Sequence, residues 1–366
     1  MENRKRIGII TITDGANYGN RLQNYALQEV LRSIGADVQT FKIKSSKDTK
    51  TKIAFFKDIV KSLLCRRSTM FLFRKRMKLF SDFNKQYIAF SKEIHDSTPT
   101  KFDYFVCGSD QIWNTEFSFI KENINLYLAS FARPEQRVAY AASFGKADMN
   151  FEEETLFRRE LPLFHSLGMR EKSGMDFANQ FGNRRDAMVV LDPTLLLDRN
   201  DWTAIEKKPK YLESHKYIAT YFLGEKTNEV RRKIEEMAEL CDAEVVNLTI
   251  EFMPDNEIKN VGHFLTSPDE FIWLIHNAEC VVTDSYHACI FSFIFDKPFI
   301  VCNRAWQGTN MNTRMDTFLS TFSLQQKWFC AEKTNEYLEH NYGEGYAILQ
   351  NEKEKSTSFL KKALGE

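Results

Sequence analysis

One unit recurs along this chain and limits the folds open to it: a short apolar run, a cluster of polar residues or glycines, then an amphipathic helix. It opens with residues 6–12 (RIGIITI), the loop Asp14-Gly15-Ala16-Asn17-Tyr18-Gly19-Asn20, and a helix with Leu22, Ala26, Val30 and Ile34 on one face. Gly35 is placed to stop that helix, and residues 36–41 read as the next strand. Further apolar runs at 102–107, 137–144, 164–169 and 188–191 keep the rhythm, with helices expected at 151–160 and 172–181, the latter stopped by Gly182. After about residue 198 the pattern starts again. Strands read at 216–223, 244–250, 279–283 and 298–301, with helices at 227–241, 268–277 and 288–295. Strands alternating with helices form parallel, doubly wound sheets. The chain therefore predicts two Rossmann-like α/β domains, 1–198 and 199–366. A last helix at about 350–364 either stays with the second domain or packs back on the first. An apolar fraction of 43% in 366 residues is enough for two cores.

Residues 42–78 interrupt the rhythm, within a helical insertion spanning about 42–95. They hold thirteen Lys or Arg against two Asp, interleaved with Phe and Leu. Two readings stay open: a helical pair packing its apolar face on the first domain, or an interfacial element touching an anionic membrane or a lipid-linked substrate. Lys plus Arg balances Asp plus Glu at 50 each, which gives no case for nucleic acid. The seven cysteines include no CxxC pair and sit in apolar contexts, as expected in a reducing compartment. The apolar stretch after Arg4-Lys5-Arg6 stops at Asp14, too short for a secretory signal. The expected setting is cytoplasmic, with peripheral contact at the inner membrane face under the second reading of the insertion.

In open α/β sheets ligands bind beyond the carboxyl ends of strands. Asn17 to Asn20, Gly108-Ser109-Asp110, Ser143, Arg170-Glu171 and Asp284 to His287 all fall there. No GxGxxG is present, so a dinucleotide fingerprint is absent. Asn17 and Asn20 either offer amides to a sugar or anion, or simply cap the turn. His287, between an apolar strand and a buried helix, is a candidate general acid or base, with Asp284 positioned to orient it. The alternative is a packed histidine bonded locally. Arg170 suits a carboxylate or phosphate, or a salt bridge with a nearby acid. Arg304 and Arg314 follow the last strand of the second domain and are candidate phosphate ligands. Asp110 positions or deprotonates an acceptor hydroxyl, or caps the helix after it. No two histidines stand in HxxxH or HxH spacing, so no metal site is expected.

Taken in order, several segments resemble the polysaccharide pyruvyl transferase family. They are Asn17-Tyr18-Gly19-Asn20 with Leu22 to Gln28, Val106 to Asn114, Tyr140 to Gly145, Arg170-Glu171-Lys172-Ser173-Gly174, Leu191-Asp192-Pro193-Thr194-Leu195-Leu196, and Thr283-Asp284-Ser285-Tyr286-His287. The resemblance implies a GT-B-like fold with the active site between the domains. It implies phosphoenolpyruvate as donor co-substrate and a sugar hydroxyl pair as acceptor, giving a pyruvate ketal on a surface polysaccharide or its precursor. The acceptor is lipid-linked, nucleotide-linked or polymeric. No metal or organic cofactor is implied. The family's histidine matches His287, and its first-domain arginine matches Arg170. Where some branches carry an arginine two residues before the histidine, this chain has Ser285, so donor binding falls to Ser285 with Arg304 or Arg314. Two rival functions share this fold: a glycosyltransferase using a nucleotide sugar, and a ligand-binding homologue without turnover.

Overall fold

The computed structural model describes residues 4–43, 67–91, 101–146, 148–212, 216–249, 261–304 and 313–365. Most of the basic stretch 42–78 before Arg67, and the insertion beyond Ser91, lie outside them. The opening apolar run forms β1 (Arg6–Ile10). Helix α1 (Tyr18–Ser33) follows, its Asn17 side chain accepting from the Asn20 backbone N–H at 3.4 Å. It ends where Gly35 takes φ 89°, a conformation that suits glycine. The first domain continues with β2 (Asp37–Thr40), α2 (Arg67–Tyr87), β3 (Tyr104–Cys107), β4 (Arg137–Ala142), α3 (Phe151–Glu160), β5 (Ser166–Met169), α4 (Lys172–Gly182) and β6 (Met188–Val189). One expected stop moves by a residue: Gly182 is still helical, and Asn183 takes the left-handed position at φ 50°. Asparagine tolerates that conformation because its amide can bond the backbone locally.

The second domain runs β7 (Tyr217–Phe222), α5 (Asn228–Cys241), β8 (Glu244–Thr249), α6 (Pro268–Asn277), β9 (Cys280–Thr283), α7 (Tyr286–Ile294), β10 (Phe299–Val301), α8 (Thr313–Thr321) and α9 (Gly343–Ala363). Helix α7 starts at Tyr286, not at the expected Ala288, which puts His287 inside its first turn. Helix α9 begins seven residues before the expected 350.

Two all-parallel sheets result, ordered β2-β1-β3-β4-β5-β6 and β10-β9-β7-β8. In each, the chain winds one way from its first strand and then the other. The switch points lie between β1 and β3 and between β7 and β9. The domains share a core: Tyr18, Leu22 and Ala26 of α1 pack with Phe271 of α6, Ile290 and Phe291 of α7, Trp202, and Phe80 and Phe83 of α2. Tyr18 stacks on Phe271 with ring centroids 4.4 Å apart. Helix α9 straddles both domains. Near its start the Tyr346 hydroxyl donates to the Phe293 carbonyl at 2.8 Å. Near its end Leu360, Ala363 and Leu364 lie buried against Ile7, Ile9, Val106 and Val138 of the first sheet.

Candidate active site

The two switch points face one cavity of about 470 Å³, within the ~300–1,000 Å³ range of small-molecule sites. After β1 and β3 the first domain contributes Ile12, Asp14, Gly15, Asn17, Asn20, Asp110 and Gln111, then Phe117 and Phe119. The second domain contributes Leu223 after β7, Ser285, Tyr286 and His287 after β9, Arg304 after β10, and Arg314 on α8. This is where an open α/β sheet leaves its strand ends free for ligand.

Behind the cavity wall stands a buried chain of charges. The Arg170 guanidinium is wholly enclosed; Nη2 donates to Asp110 Oδ1 at 3.0 Å and Nη1 to Asp192 Oδ2 at 3.1 Å. Asp192 Oδ2 also lies 3.5 Å from His287 Nε2, longer than a formed hydrogen bond. Its Oδ1 accepts from Thr194 N–H and Oγ1 at 3.0 and 2.7 Å, while Ser109 Oγ donates to Oδ2 at 3.3 Å. Burial alone would raise the Asp192 pKa, but His287 and Arg170 outweigh it and hold the carboxyl well below its usual range. Burial likewise opposes the Asp110 carboxylate and is outweighed by Arg170, then His287 and Arg314. Asp110 is held at φ 78° by its backbone, with its carbonyl accepting from Ser143 N–H at 3.0 Å. An unusual φ kept at a strand end is a mark of functional sites.

His287 is seated as closely. A Cβ added at Gly19 would fall 2.0 Å from His287 Nδ1, so the ring passes directly over a residue that has to be glycine. The first domain thus grips the second-domain histidine from two sides, with Gly19 under Nδ1 and Asp192 at Nε2. At the same end, α7 opens from Ser285, whose N–H donates to Thr283 Oγ1 at 3.0 Å. The N–H groups of the next residues have no partner within the helix and carry the positive end of its dipole. Arg304 reaches Asp284 Oδ2 at 3.3 Å and its carbonyl at 3.1 Å while lining the cavity. Arg314 Nη1 lies 3.0 Å from the Gln111 carboxamide and 3.7 Å from Asp110 Oδ1, with Nη2 against the same carboxamide. Burial, and then the Arg170 cation, push the Arg314 pKa down to about 10, so it stays charged at neutral pH. The Tyr286 ring meets Arg170 and Arg314, 5.1 and 5.7 Å from its centroid.

Of the residues singled out in the sequence, Asn17, Asn20, Asp110, Ser285, His287, Arg304 and Arg314 line the cavity. Gly19 touches it through His287. Arg170, Ser143 and Tyr18 do not line it. Arg170 sits one layer behind, bridging Asp110 and Asp192. Ser143 is buried, with its Oγ accepting from Gly145 N–H at 3.0 Å. Tyr18 points the other way into the shared core, its hydroxyl donating to the Thr266 carbonyl at 3.2 Å. The expected partner of His287 also changes. Asp284 accepts from Leu223 N–H and Gly224 N–H at 2.7 and 2.8 Å and from Arg304, so it ties β9 to the β7 loop. Asp192, from the other domain, faces the histidine instead. The Asp192-Pro193 run was visible as a motif, but nothing in it points to a partner so far along the chain.

Two parallel α/β domains with a polar site between them define a GT-B-like protein. Beyond that class, the chain belongs to a known family: the polysaccharide pyruvyl transferase family model matches residues 17–305. No curated protein matches the chain in sequence. Solved structures similar to it include the UDP-GlcNAc 2-epimerase of Neisseria meningitidis bound to UDP-GlcNAc, 11% identical with a TM-score of 0.47, covering 98% of this chain and 100% of that one. Arabidopsis thaliana UGT89C1 complexed with UDP-L-rhamnose is 11% identical with a TM-score of 0.49, covering 99% of both chains. The glycosyltransferase SnogD of Streptomyces nogalater is 11% identical with a TM-score of 0.38, covering 99% of this chain and 100% of that one.

Proposed function

We propose that the chain transfers the pyruvyl group of phosphoenolpyruvate to two hydroxyls of a sugar, forming a ketal. The carrying observation is His287, held between Gly19 and Asp192 beside Arg304, Arg314 and the N-terminus of α7. Phosphoenolpyruvate brings a carboxylate and a phosphate to one small molecule. Two guanidinium groups and a helix N-terminus supply the matching positive field. Arg170 acts from behind, fixing Asp110 and Asp192, and so positions the site rather than touching donor.

The chemistry needs one mobile proton and one oriented hydroxyl. Protonation of the donor's methylene carbon leaves an oxocarbenium-like centre at C2. One sugar oxygen adds there, the C2–O bond to phosphate breaks, and the second sugar oxygen closes the ketal. Of the two hydroxyl protons released, one balances the new methyl group and the other leaves with phosphate. His287 Nε2 faces Asp192, so Nδ1 over Gly19 is the nitrogen left to exchange a proton with substrate. Asp110, with its pKa held low, is a poor base and orients the acceptor hydroxyl. The scheme calls for no metal or organic cofactor.

The acceptor we favour is lipid-linked, met at the inner membrane face, with a nucleotide-linked or polymeric sugar as the other form. Helix α2 supports this by exposing Phe71 and Phe73 beside basic residues, with Lys75 Nζ 4.5 Å from the Phe71 ring centroid. Among the described residues no helix is long and apolar enough to cross a membrane. Salt-sensitive binding to anionic vesicles tests this part, and equal binding to neutral vesicles argues against it.

The deciding experiment is thermal shift with phosphoenolpyruvate against uridine and guanosine diphosphates. A ligand at one hundred times its dissociation constant adds roughly 2.7 kcal/mol to the folded state. A shift with phosphoenolpyruvate that disappears in Arg314→Ala supports the pyruvyl donor. A shift with a nucleotide diphosphate alone turns the reading to a glycosyltransferase. Donor binding without ketal formation across an acceptor panel leaves a binding protein.

A further inference from the structure

The cavity is chemically two-sided. Its second-domain side is cationic, while on its first-domain side two phenylalanines join Asp14, Asn17 and Asn20. Phe117 and Phe119 lie with their rings stacked, 5.7 Å between centroids and 15° between planes. Phe117 is half-buried against the first-domain core. Phe119 stays 36% exposed on the cavity wall. Both are anchored through the backbone: Phe117 N–H donates to the Asn114 carbonyl at 3.2 Å, the Phe117 carbonyl accepts from Ile120 N–H at 2.9 Å, and the Phe119 carbonyl accepts from Asn123 Nδ2 at 2.8 Å. Ile120 and the neighbouring Trp113 are wholly buried. Other exposed phenylalanines, Phe71, Phe73 and Phe151, stand outside the cavity.

We propose that Phe117 and Phe119 form a stacking platform for a pyranose ring, making the first-domain half of the cavity the acceptor subsite. A pyranose offers a face of C–H groups, apolar and weakly positive, which matches the negative face of an aromatic ring. Its edge carries hydroxyls, which need mixed donors and acceptors, and carboxamides and a carboxylate on the same wall supply them. Phe119 supplies the open face and Phe117 backs it. This rests on the pyruvyl reading only for calling the bound sugar an acceptor.

Saturation-transfer NMR on the full chain tests it, with methyl galactopyranoside, methyl glucopyranoside and methyl mannopyranoside as probes and uridine as control. Irradiation of aromatic protons should saturate the C–H protons of at least one glycoside. Phe119→Ala should weaken that glycoside about two- to tenfold, and Phe119→Trp should keep it. The phosphoenolpyruvate thermal shift should be the same in all three proteins. In turnover, the acceptor KM should rise in Phe119→Ala with kcat unchanged. Because Phe119 is exposed, its loss leaves the core intact. No saturation of any glycoside, signals unchanged in Phe119→Ala, or saturation of the uridine base alone overturns the platform. Sugar binding lost in Phe119→Ala without a phosphoenolpyruvate shift keeps the platform and drops the donor. The reverse pattern keeps the donor and drops the platform.

Discussion

At the scale of single residues, the site depends on one close contact. Gly19→Ala drives a methyl group into the His287 ring, at 2.0 Å from Nδ1 before relaxation. Relieving that clash moves the ring by about an ångström or more, and a misplacement of about 1 Å costs about 10²-fold in rate. His287→Ala should lose ~10²–10⁴ in kcat while its circular dichroism and melting temperature stay near wild type. The two should not add: the double variant should turn over no more slowly than His287→Ala alone. Additive losses would separate Gly19 from the histidine.

Asp192 makes a second residue-scale test. Asp192→Asn leaves Arg170 buried with one carboxylate instead of two, and breaking a buried pair costs about 3–5 kcal/mol. Denaturant titration at neutral pH measures this directly. The pH dependence has a fixed sign. Because the folded-state pKa values of Asp110 and Asp192 are depressed, their contribution is full above the unfolded value of about 3.9 and drains as pH falls toward the folded values. Wild type should therefore lose stability more steeply below about pH 4 than Asp192→Asn does. Equal slopes would mean that the pair carries no proton linkage.

Much of this was legible before folding, and the reason for the rest is physical. His287, Asp110 and Arg304 stand just past strand ends, a position that local pattern reveals, while Arg314 lies further on, in the first turn of α8. Asp192 pairs with a residue of the other domain, and only the closed fold makes that meeting. Tyr18 misled because it lies in the same loop as Asn17 and Asn20, yet the helical turn sends its ring to the opposite side. Phe117 and Phe119 sit at the start of a five-residue helix, Ser118–Glu122, too short for period to carry information.

At the scale of elements, α2 deserves a test because it joins the domains from outside the alternating pattern. Its Arg76 is wholly buried, with the guanidinium 5.1 Å from the Tyr18 ring centroid and 5.1 Å from that of Phe264, and it donates to the Phe264 carbonyl. The long aliphatic stem fills space as much as the charge binds. Arg76→Ala should cost ~2–4 kcal/mol in an unfolding titration, while Arg76→Met should recover at least half of that loss. If methionine were as damaging as alanine, the charge and not the packing would be holding α2. The strand and helix positions themselves followed from period and caps. The Glu270 carboxylate accepts from the Ser267 N–H at 2.9 Å, the reciprocal bond expected of a Ser-x-x-Glu start.

At the scale of the whole molecule, the shared core around Tyr18, Trp202, Phe271 and Phe291 argues against two independently melting halves. Large apolar interfaces suppress relative domain motion. Calorimetry should show one cooperative transition, and two resolved peaks would mean that the interface is weaker than its packing suggests. Removing α9 from residue 353 onward strips Leu360 and Leu364 from the first sheet. At about 1.5–3 kcal/mol for each large apolar side chain, this should lower the melting temperature markedly or leave the protein insoluble.

That helix also imposes an order on biosynthesis. The first domain leaves the ribosome early, yet the strip of its sheet formed by Ile7, Ile9, Val106 and Val138 is covered by residues translated more than 150 positions after β6. Lys5 Nζ donates to the Gly365 carbonyl at 2.9 Å, so the side chain just before β1 gains this partner only when α9 arrives. Until then a nascent chain carries an open greasy seam, and a pause in translation before α9 would hand that seam to a chaperone.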